Sequence, residues 1–302
     1  MKNKNTSKKV IVRVKGGLGN QLFCYATARR LAIVNNAELV IDDVTGFKRD
    51  FKYKQKYLLN NFRIDARKAT PAEIMVPFER VRRKIAKMIA IRKPYNNRFY
   101  IQQEGNDFDV RLLNLKVSNT VYLDGYWQSE GYFKDVEQDI RKDLQIIPPD
   151  NYINKKYAEI IQSCNSIAIH VRWFESFGTE SIGQNAPLDY YNRAIRGIRE
   201  RVEKPHFFIF SDNTIDAQKL LNLSSDEATY VSHNKGIENA YADLWLMTLC
   251  KHFITANSSF SWWGAWLGAK QESKIVITPK MIPTKMRQWG FRGLIPKSWL
   301  QI

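Results

Sequence analysis

Short apolar runs alternate along this chain with longer segments of helical period. Val10-Ile11-Val12-Arg13-Val14 has the composition of a strand, and the tight loop Gly16-Gly17-Leu18-Gly19-Asn20 follows it. Gln21 to Val34 then predicts a helix and Glu38 to Ile41 a second strand, a unit that opens a parallel α/β layer. From Asp42 to Gly105 regularity fades. Only Pro77 to Ile91 stands out there, with Phe78, Val81, Ile85 and Met88 at heptad-like spacing. Val121-Tyr122-Leu123 predicts a further strand, followed by Gly125-Tyr126-Trp127 and a helix of alternating charge through Asp143.

Pro148-Pro149-Asp150 marks a boundary, because a double proline stops helices and favours an extended connection. Two domains are expected, 1–149 and 150–302. Beyond the boundary the alternation becomes regular, with strands predicted at Ile167 to Val171, His206 to Phe210, Thr229 to Val231, Phe253 to Ala256 and Lys274 to Ile277. Helical patterns fill the gaps; in Glu238 to Cys250, Tyr241, Leu244, Trp245, Thr248 and Leu249 share one face. Five strands alternating with helices predict a doubly wound parallel sheet.

Composition narrows the partners. Over 302 residues the formal charge is +17, which calls for an anionic partner: a nucleic acid, an acidic membrane face or a phosphorylated substrate. A nucleic-acid binder would need basic residues interleaved with exposed aromatics, whereas the aromatics here cluster beside small polar residues at strand ends, so no nucleic acid is expected. Eight lysines and arginines between Phe78 and Arg98 surround the apolar stripe; this segment either lies on anionic lipid or is a helix with a solvated basic face. Cys24, Cys164 and Cys250 lack CxxC spacing and read as reduced thiols that pack as small hydrophobes. No apolar run reaches the roughly 18 residues that span a bilayer, and the basic start leads into a strand. A cytoplasmic protein, in peripheral contact with the inner membrane face, is the expectation.

Ligands of a doubly wound sheet bind beyond the carboxyl ends of its strands. There the chain carries His170-Val171-Arg172, Ser211-Asp212-Asn213, His233-Asn234-Lys235 and Asn257-Ser258-Ser259-Phe260-Ser261. Four small polar residues before a tryptophan-rich helix bring free backbone N–H groups and hydroxyls together, a site for phosphate, although Asn257 or Ser258 could simply cap that helix. A crevice lined by Arg172, Asp212, His233 and the serines fits a nucleoside diphosphate. In the other half, Gly17, Gly19, Asn20 and Gln21 lie in a loop whose missing Cβ atoms let backbone approach a substrate closely, or merely turn the chain. Asp107-Phe108-Asp109 has the form of a metal-binding DxD but reads as a solvated turn. The four histidines lack zinc spacing, so no metal or other cofactor is expected.

The ordered set Gly16-Gly17-Leu18-Gly19-Asn20-Gln21-Leu22-Phe23, Gly125-Tyr126-Trp127-Gln128-Ser129-Glu130, Leu188-Asp189-Tyr190-Tyr191, Phe210-Ser211-Asp212, His233-Asn234-Lys235-Gly236 and Asn257 to Trp266 resembles the bacterial α-1,2-fucosyltransferases of glycosyltransferase family 11. The resemblance implies a GT-B-like fold of two Rossmann-like domains with a cleft between them, an acceptor-side first domain and a second that binds GDP-fucose. It implies metal-independent, inverting transfer of fucose to the 2-hydroxyl of a galactose. The positive charge and the basic helix, in turn, suggest a lipid-linked oligosaccharide acceptor at the inner membrane face, as would suit surface polysaccharide assembly. The family pattern His-x-Arg-Arg-x-Asp here reads His170-Val171-Arg172-Trp173-Phe174-Glu175. Arg172 is then the expected phosphate ligand and Glu175 the base or an orienting carboxylate, while Trp173 removes a cationic fork and leaves another GDP- or UDP-sugar as an alternative donor. Another alternative is a non-catalytic binder of anionic polymer.

Overall fold

The computed structural model describes residues 8–173, 185–280 and 289–302. Its contacts divide the chain into two compact units. Unit 1 is Met1–Gln145 with Arg292–Leu294, and unit 2 is Ile146–Phe291 with Ile295–Ile302.

In unit 1 the elements are β1 (Lys9–Arg13), α1 (Leu18–Asn35), β2 (Glu38–Asp42), β3 (Arg67–Lys68), α2 (Glu79–Ala90), β4 (Tyr100–Gln102), α3 (Val110–Leu113), β5 (Thr120–Asp124) and α4 (Glu137–Asp143). The strands form one parallel sheet in the order β3-β2-β1-β5-β4. Val10, Val12 and Leu123 are fully buried at its centre, as expected of a sheet covered on both faces. α1 begins three residues before Gln21, because extended Gly17 serves as its N-cap. Gly19, Asn20 and Gln21 therefore belong to its first turn and not to an open loop. The turn reading of Asp107 and Asp109 agrees with the structure: Asp107 accepts from the Arg292 N–H at 3.2 Å, and Asp109 caps α3.

Unit 2 contains α5 (Tyr152–Ser163), β6 (Asn165–Val171), α6 (Leu188–Arg199), β7 (Pro205–Ser211), α7 (Thr214–Leu221), β8 (Ala228–Val231), α8 (Ala240–Leu249), β9 (His252–Ile254), α9 (Ser259–Leu267), β10 (Val276–Thr278) and β11 (Leu300–Gln301). Its sheet is parallel, in the order β11-β10-β9-β6-β7-β8. From β6 the chain winds outward through β7 and β8, then returns to β9 on the other side of β6 and winds out through β10. The order reverses between β6 and β9, so the crevice for a ligand lies beyond their carboxyl ends. α9 is anchored beside that crevice by Trp262 and Trp263, which are fully buried with ring centroids 5.1 Å apart. Truncating either ring to alanine would cost about 3–5 kcal/mol.

The fold class is the one the pattern predicts, α/β with parallel sheets. Three strands have no counterpart in it: β3, β4 and β11, of two, three and two residues.

Candidate functional site

Arg172 leaves the carboxyl end of β6, and Asn257 follows β9. Ile169 and Ile254 are the last paired residues of the two strands, and Arg172 and Asn257 each lie three positions further on. The switch point thus places Arg172 at the end of the strand that neighbours the one leading into α9. Arg172 Nη1 donates to Asp212 Oδ2 in a short contact, and the Trp173 N–H donates to Asp212 Oδ1 at 3.0 Å. Asp212 thereby bonds both the Arg172 side chain and the backbone after it. About a third of each side chain remains exposed, so the pair faces solvent and a ligand can reach it.

His170 is buried against Phe260, with ring centroids 5.4 Å apart, and its Nδ1 has no hydrogen-bond partner among the described residues. Burial, and secondarily the charge of Arg172, pushes its pKa down to about 3. The imidazole is neutral at physiological pH and is too weak a base to accept an acceptor proton efficiently.

The serines divide between cap and brace. Ser258 is the N-cap of α9, its hydroxyl accepting from the Phe260 N–H at 3.3 Å. Ser261 is fully buried; its Oγ accepts from the Ala256 N–H at 3.2 Å and donates to the Ser258 carbonyl at 3.3 Å. Ser259 is half-buried at the helix start, and Asn257 is buried. This local bonding fixes the loop so that the first N–H groups of α9 hold one direction, which is the preorganisation an anion site needs. Tyr190 and Tyr191 of α6 stiffen the same corner, donating to the Thr255 carbonyl at 2.6 Å and the His170 carbonyl at 3.0 Å. Their motif was legible in the sequence, but their bracing role was not.

The other candidates are spread along the sheet edge. Ser211 Oγ and the Asn213 backbone exchange 3.1 Å hydrogen bonds, and Asn213 caps α7. His233 Nε2 lies 3.0 Å from Asn154 Oδ1, and Asn234 pairs with Asn154 through both amide atoms at 2.8 and 2.9 Å. Asn234 also donates to Asp243 Oδ1 at 2.9 Å. Burial drives the Asp243 carboxyl up to about 7, against a smaller lowering by that hydrogen bond. Asn154 and Asp243 were not singled out in the sequence: both sit on helices without a motif, and only the fold joins them to His233.

In unit 1 the loop after β1 is pinned from within. Gly16 has φ +75°, and Gln21, fully buried, donates to the carbonyls of Gly16 and Lys56, both at 2.8 Å, while accepting from the Leu58 N–H at 2.9 Å. Its amide is consumed by the fold. Asn20 Oδ1 accepts from Gln128 at 2.8 Å, joining two of the sequence motifs. Gly19 is buried and Gly17 half-buried; a Cβ on Gly17 would meet nothing nearer than Gln55 Oε1 at 3.6 Å. Glu175 lies outside the described residues. Among them, no group of three or more His, Cys, Asp or Glu side chains is placed to hold a metal ion.

The family model for glycosyl transferase family 11 matches residues 9–289. The chain belongs to this family. It is a glycosyltransferase, which replaces the reading as a non-catalytic binder of anionic polymer. It is similar to an α-1,2-colitosyltransferase of Escherichia coli, 30% identical across 85% of this chain and 87% of that one. It is also similar to the O-antigen biosynthesis glycosyltransferase WbnK of Escherichia coli, 29% identical across 96% and 99%. Among solved structures, FUT1 of Arabidopsis thaliana, as a mutant in complex with GDP, superposes with a TM-score of 0.56 at 14% identity, covering 91% of this chain and 71% of that one. NodZ α-1,6-fucosyltransferase soaked with GDP-fucose gives 0.50 at 15% identity, over 86% and 92%. These likenesses establish the GT-B-like fold of this family 11 chain.

Proposed function

We propose that the chain transfers fucose from GDP-β-L-fucose, with inversion, to the 2-hydroxyl of a galactose in an O-antigen-like acceptor. The observation that carries the donor half is the Arg172–Asp212 pair across the ends of β6 and β7, with Arg172 on the switch-point strand whose neighbour β9 leads into α9. Unit 2 is read as the nucleotide-sugar unit and unit 1 as the acceptor side. The bond from the anomeric carbon to the β-phosphate oxygen breaks, and its electron pair leaves with GDP. Arg172 and the α9 N–H groups stabilise the charge that grows there. The acceptor oxygen bonds to the opposite face of that carbon and gives its proton to a carboxylate, for which Glu175 is the choice because neutral His170 is too weak a base. Asp212 acts as a positioning residue for Arg172. The acceptor is proposed to be lipid-linked and the enzyme cytoplasmic, at the inner membrane face.

The α-1,2 linkage is in the name of the E. coli colitosyltransferase to which the chain is similar, and this favours one second reading. Colitose is fucose without its 3-hydroxyl, so a pocket for one needs a single contact changed to take the other. Incubation with GDP-fucose, GDP-colitose, UDP-galactose and UDP-glucose, with a β-galactoside present, tests the reading. Consumption of GDP-fucose with an α-1,2-linked product is expected. Preference for GDP-colitose would select the second reading, and turnover of UDP-sugars alone would overturn both.

A further inference from the structure

α2 is seated the opposite way from an ordinary amphipathic helix. Its small residues Ala86 and Ala90 pack into the unit 1 core with Ile11, Val40, Tyr100 and Tyr122. Half a turn away in the 3.6-residue period, Val81, Ile85 and Met88 point outward and are about half exposed. Phe78, just before the helix, is 76% exposed. Arg80, Arg82, Arg83, Lys84 and Lys87 flank this row, against the single acid Glu79.

Beside the helix lies a cavity of about 360 Å³ lined by Arg13, Lys48, Arg49, Arg80 and Arg83, with Asp50 and Glu79 as its carboxylates. Arg13 is engaged by Asp124 and Thr45, and Lys48 reaches Glu79 at 3.7 Å. Asp50 accepts the N–H groups of Tyr53 and Gln55. Arg49, Arg80 and Arg83 form no ion pair among the described residues, and a buried nitrogen of Arg83, Nη1, lacks a hydrogen-bond partner there. A second exposed aromatic, Phe51 at 80% exposure, directly follows the cavity-lining Arg49 and Asp50 in the sequence.

We propose that this face of unit 1 docks on an anionic phospholipid surface, the cavity seating a lipid phosphate while Phe51, Phe78, Val81, Ile85 and Met88 enter the headgroup boundary. A free anion would satisfy the arginines and leave the apolar row in water. A second copy of the chain would bring two basic rims together at a repulsive cost. An anionic bilayer meets both needs: acyl boundary for the row, phosphate for the guanidinia. The inference does not depend on which sugar is transferred.

Co-sedimentation of the full chain with phosphatidylcholine vesicles, with and without phosphatidylglycerol, tests it. Binding that requires phosphatidylglycerol and falls with salt is expected. The variant Val81→Ser/Ile85→Ser/Met88→Ser is expected to partition at least roughly ten-fold more weakly. Arg80→Gln/Arg83→Gln is expected to lose more than the roughly five-fold per residue that any one cation is worth at such a surface, the loss expected of Lys84→Gln/Lys87→Gln. Circular dichroism and donor consumption in solution should be unchanged in all variants. Absence of wild-type binding, or a serine variant that binds equally well, overturns the docking face. Equal losses from Lys84→Gln/Lys87→Gln overturn the phosphate seat. A solution dimer that the serine variant abolishes assigns the face to a second copy instead.

Discussion

The two sheets share a plan but treat charge in opposite ways at their reversal points. In unit 1 the order reverses between β1 and β5, and the carboxyl ends there bring Arg13, Lys15 and Asp124 together. Asp124 is buried; it takes Lys15 at 2.6 Å, Arg13 at 3.2 Å and the Tyr100 hydroxyl at 2.8 Å. Burial alone would raise its pKa, but Lys15 and Arg13 overcome that and bring it down to about 2. The corner is electrically closed. In unit 2 the corresponding edge holds one guanidinium about a third exposed, one carboxylate and a helix N-terminus. Topology offers a crevice in each unit, while the burial of its ion pair decides which crevice presents a cation to solvent: the Asp124 side chain is 10% exposed and Asp212 33%.

The sharpest way to break that contrast is Arg172→Ala. If the unit 2 corner holds the leaving diphosphate, transfer should fall by roughly 100- to 1,000-fold while the melting temperature stays within a few degrees, because the lost pair is solvent-screened. Asp212→Asn should act in the same direction but less, with Arg172 still present and less well aimed. Steady-state transfer assays beside thermal melts decide this; an Arg172→Ala enzyme of near wild-type rate refutes the phosphate role.

Asp124→Ala should behave in the opposite manner. It leaves Arg13 and Lys15 without their buried partner and should destabilise unit 1 by about 3–5 kcal/mol, read by chemical denaturation, with activity lost only as folding is lost. A folded, stable and inactive Asp124→Ala protein would show that the closed corner is catalytic after all.

A smaller effect sharpens the comparison between two buried acids. Asp124 has two cations and titrates near 2; Asp243, whose only polar partner among the described residues is the Asn234 amide, titrates near 7. With an unfolded aspartate near about 3.9, Asp124 contributes stability above that pH and loses it as pH falls through about 2. For Asp243 the folded state binds the extra proton, so stability declines as pH rises from about 4 to about 7. Asp243→Asn should flatten the decline between those pH values without altering the acid limb. Unfolding free energies measured across that range check it; an unchanged slope in Asp243→Asn assigns the decline to other groups.

Much of this contrast was hidden from the sequence. Strands with apolar runs, such as β1, β6 and β7, announce themselves. β3, Arg67–Lys68, is exposed on both residues and exists because β2 offers an edge, which no local pattern encodes. The polar residues at the unit 2 strand ends were legible as a set, since turn residues recur after each strand. Their pairing was not: Arg172 and Asp212 are 40 positions apart, and Asn154 meets Asn234 across 80. Gln21 misled for the same reason. Its place in a glycine motif suggests ligand contact, but all its hydrogen bonds go to the chain's own backbone.

The smallest perturbation separates turn from contact in the glycine loop. Gly16→Ala forces a side chain into φ +75° with its Cβ 3.0 Å from the Asn20 amide, so about 1–2 kcal/mol of strain is expected and any activity loss is ambiguous. Gly17 has φ −66°, and a Cβ there would make only ordinary van der Waals contact with Gln55, at 3.6 Å. Gly17→Ala should therefore cost no more than about 1 kcal/mol, the difference between glycine and alanine at an N-cap. A drop in transfer of more than ten-fold in that variant, with KM for the acceptor raised and the fold intact, means that backbone at Gly17 approaches the substrate closely. An alanine enzyme with ordinary kinetics means that the motif only turns the chain into α1.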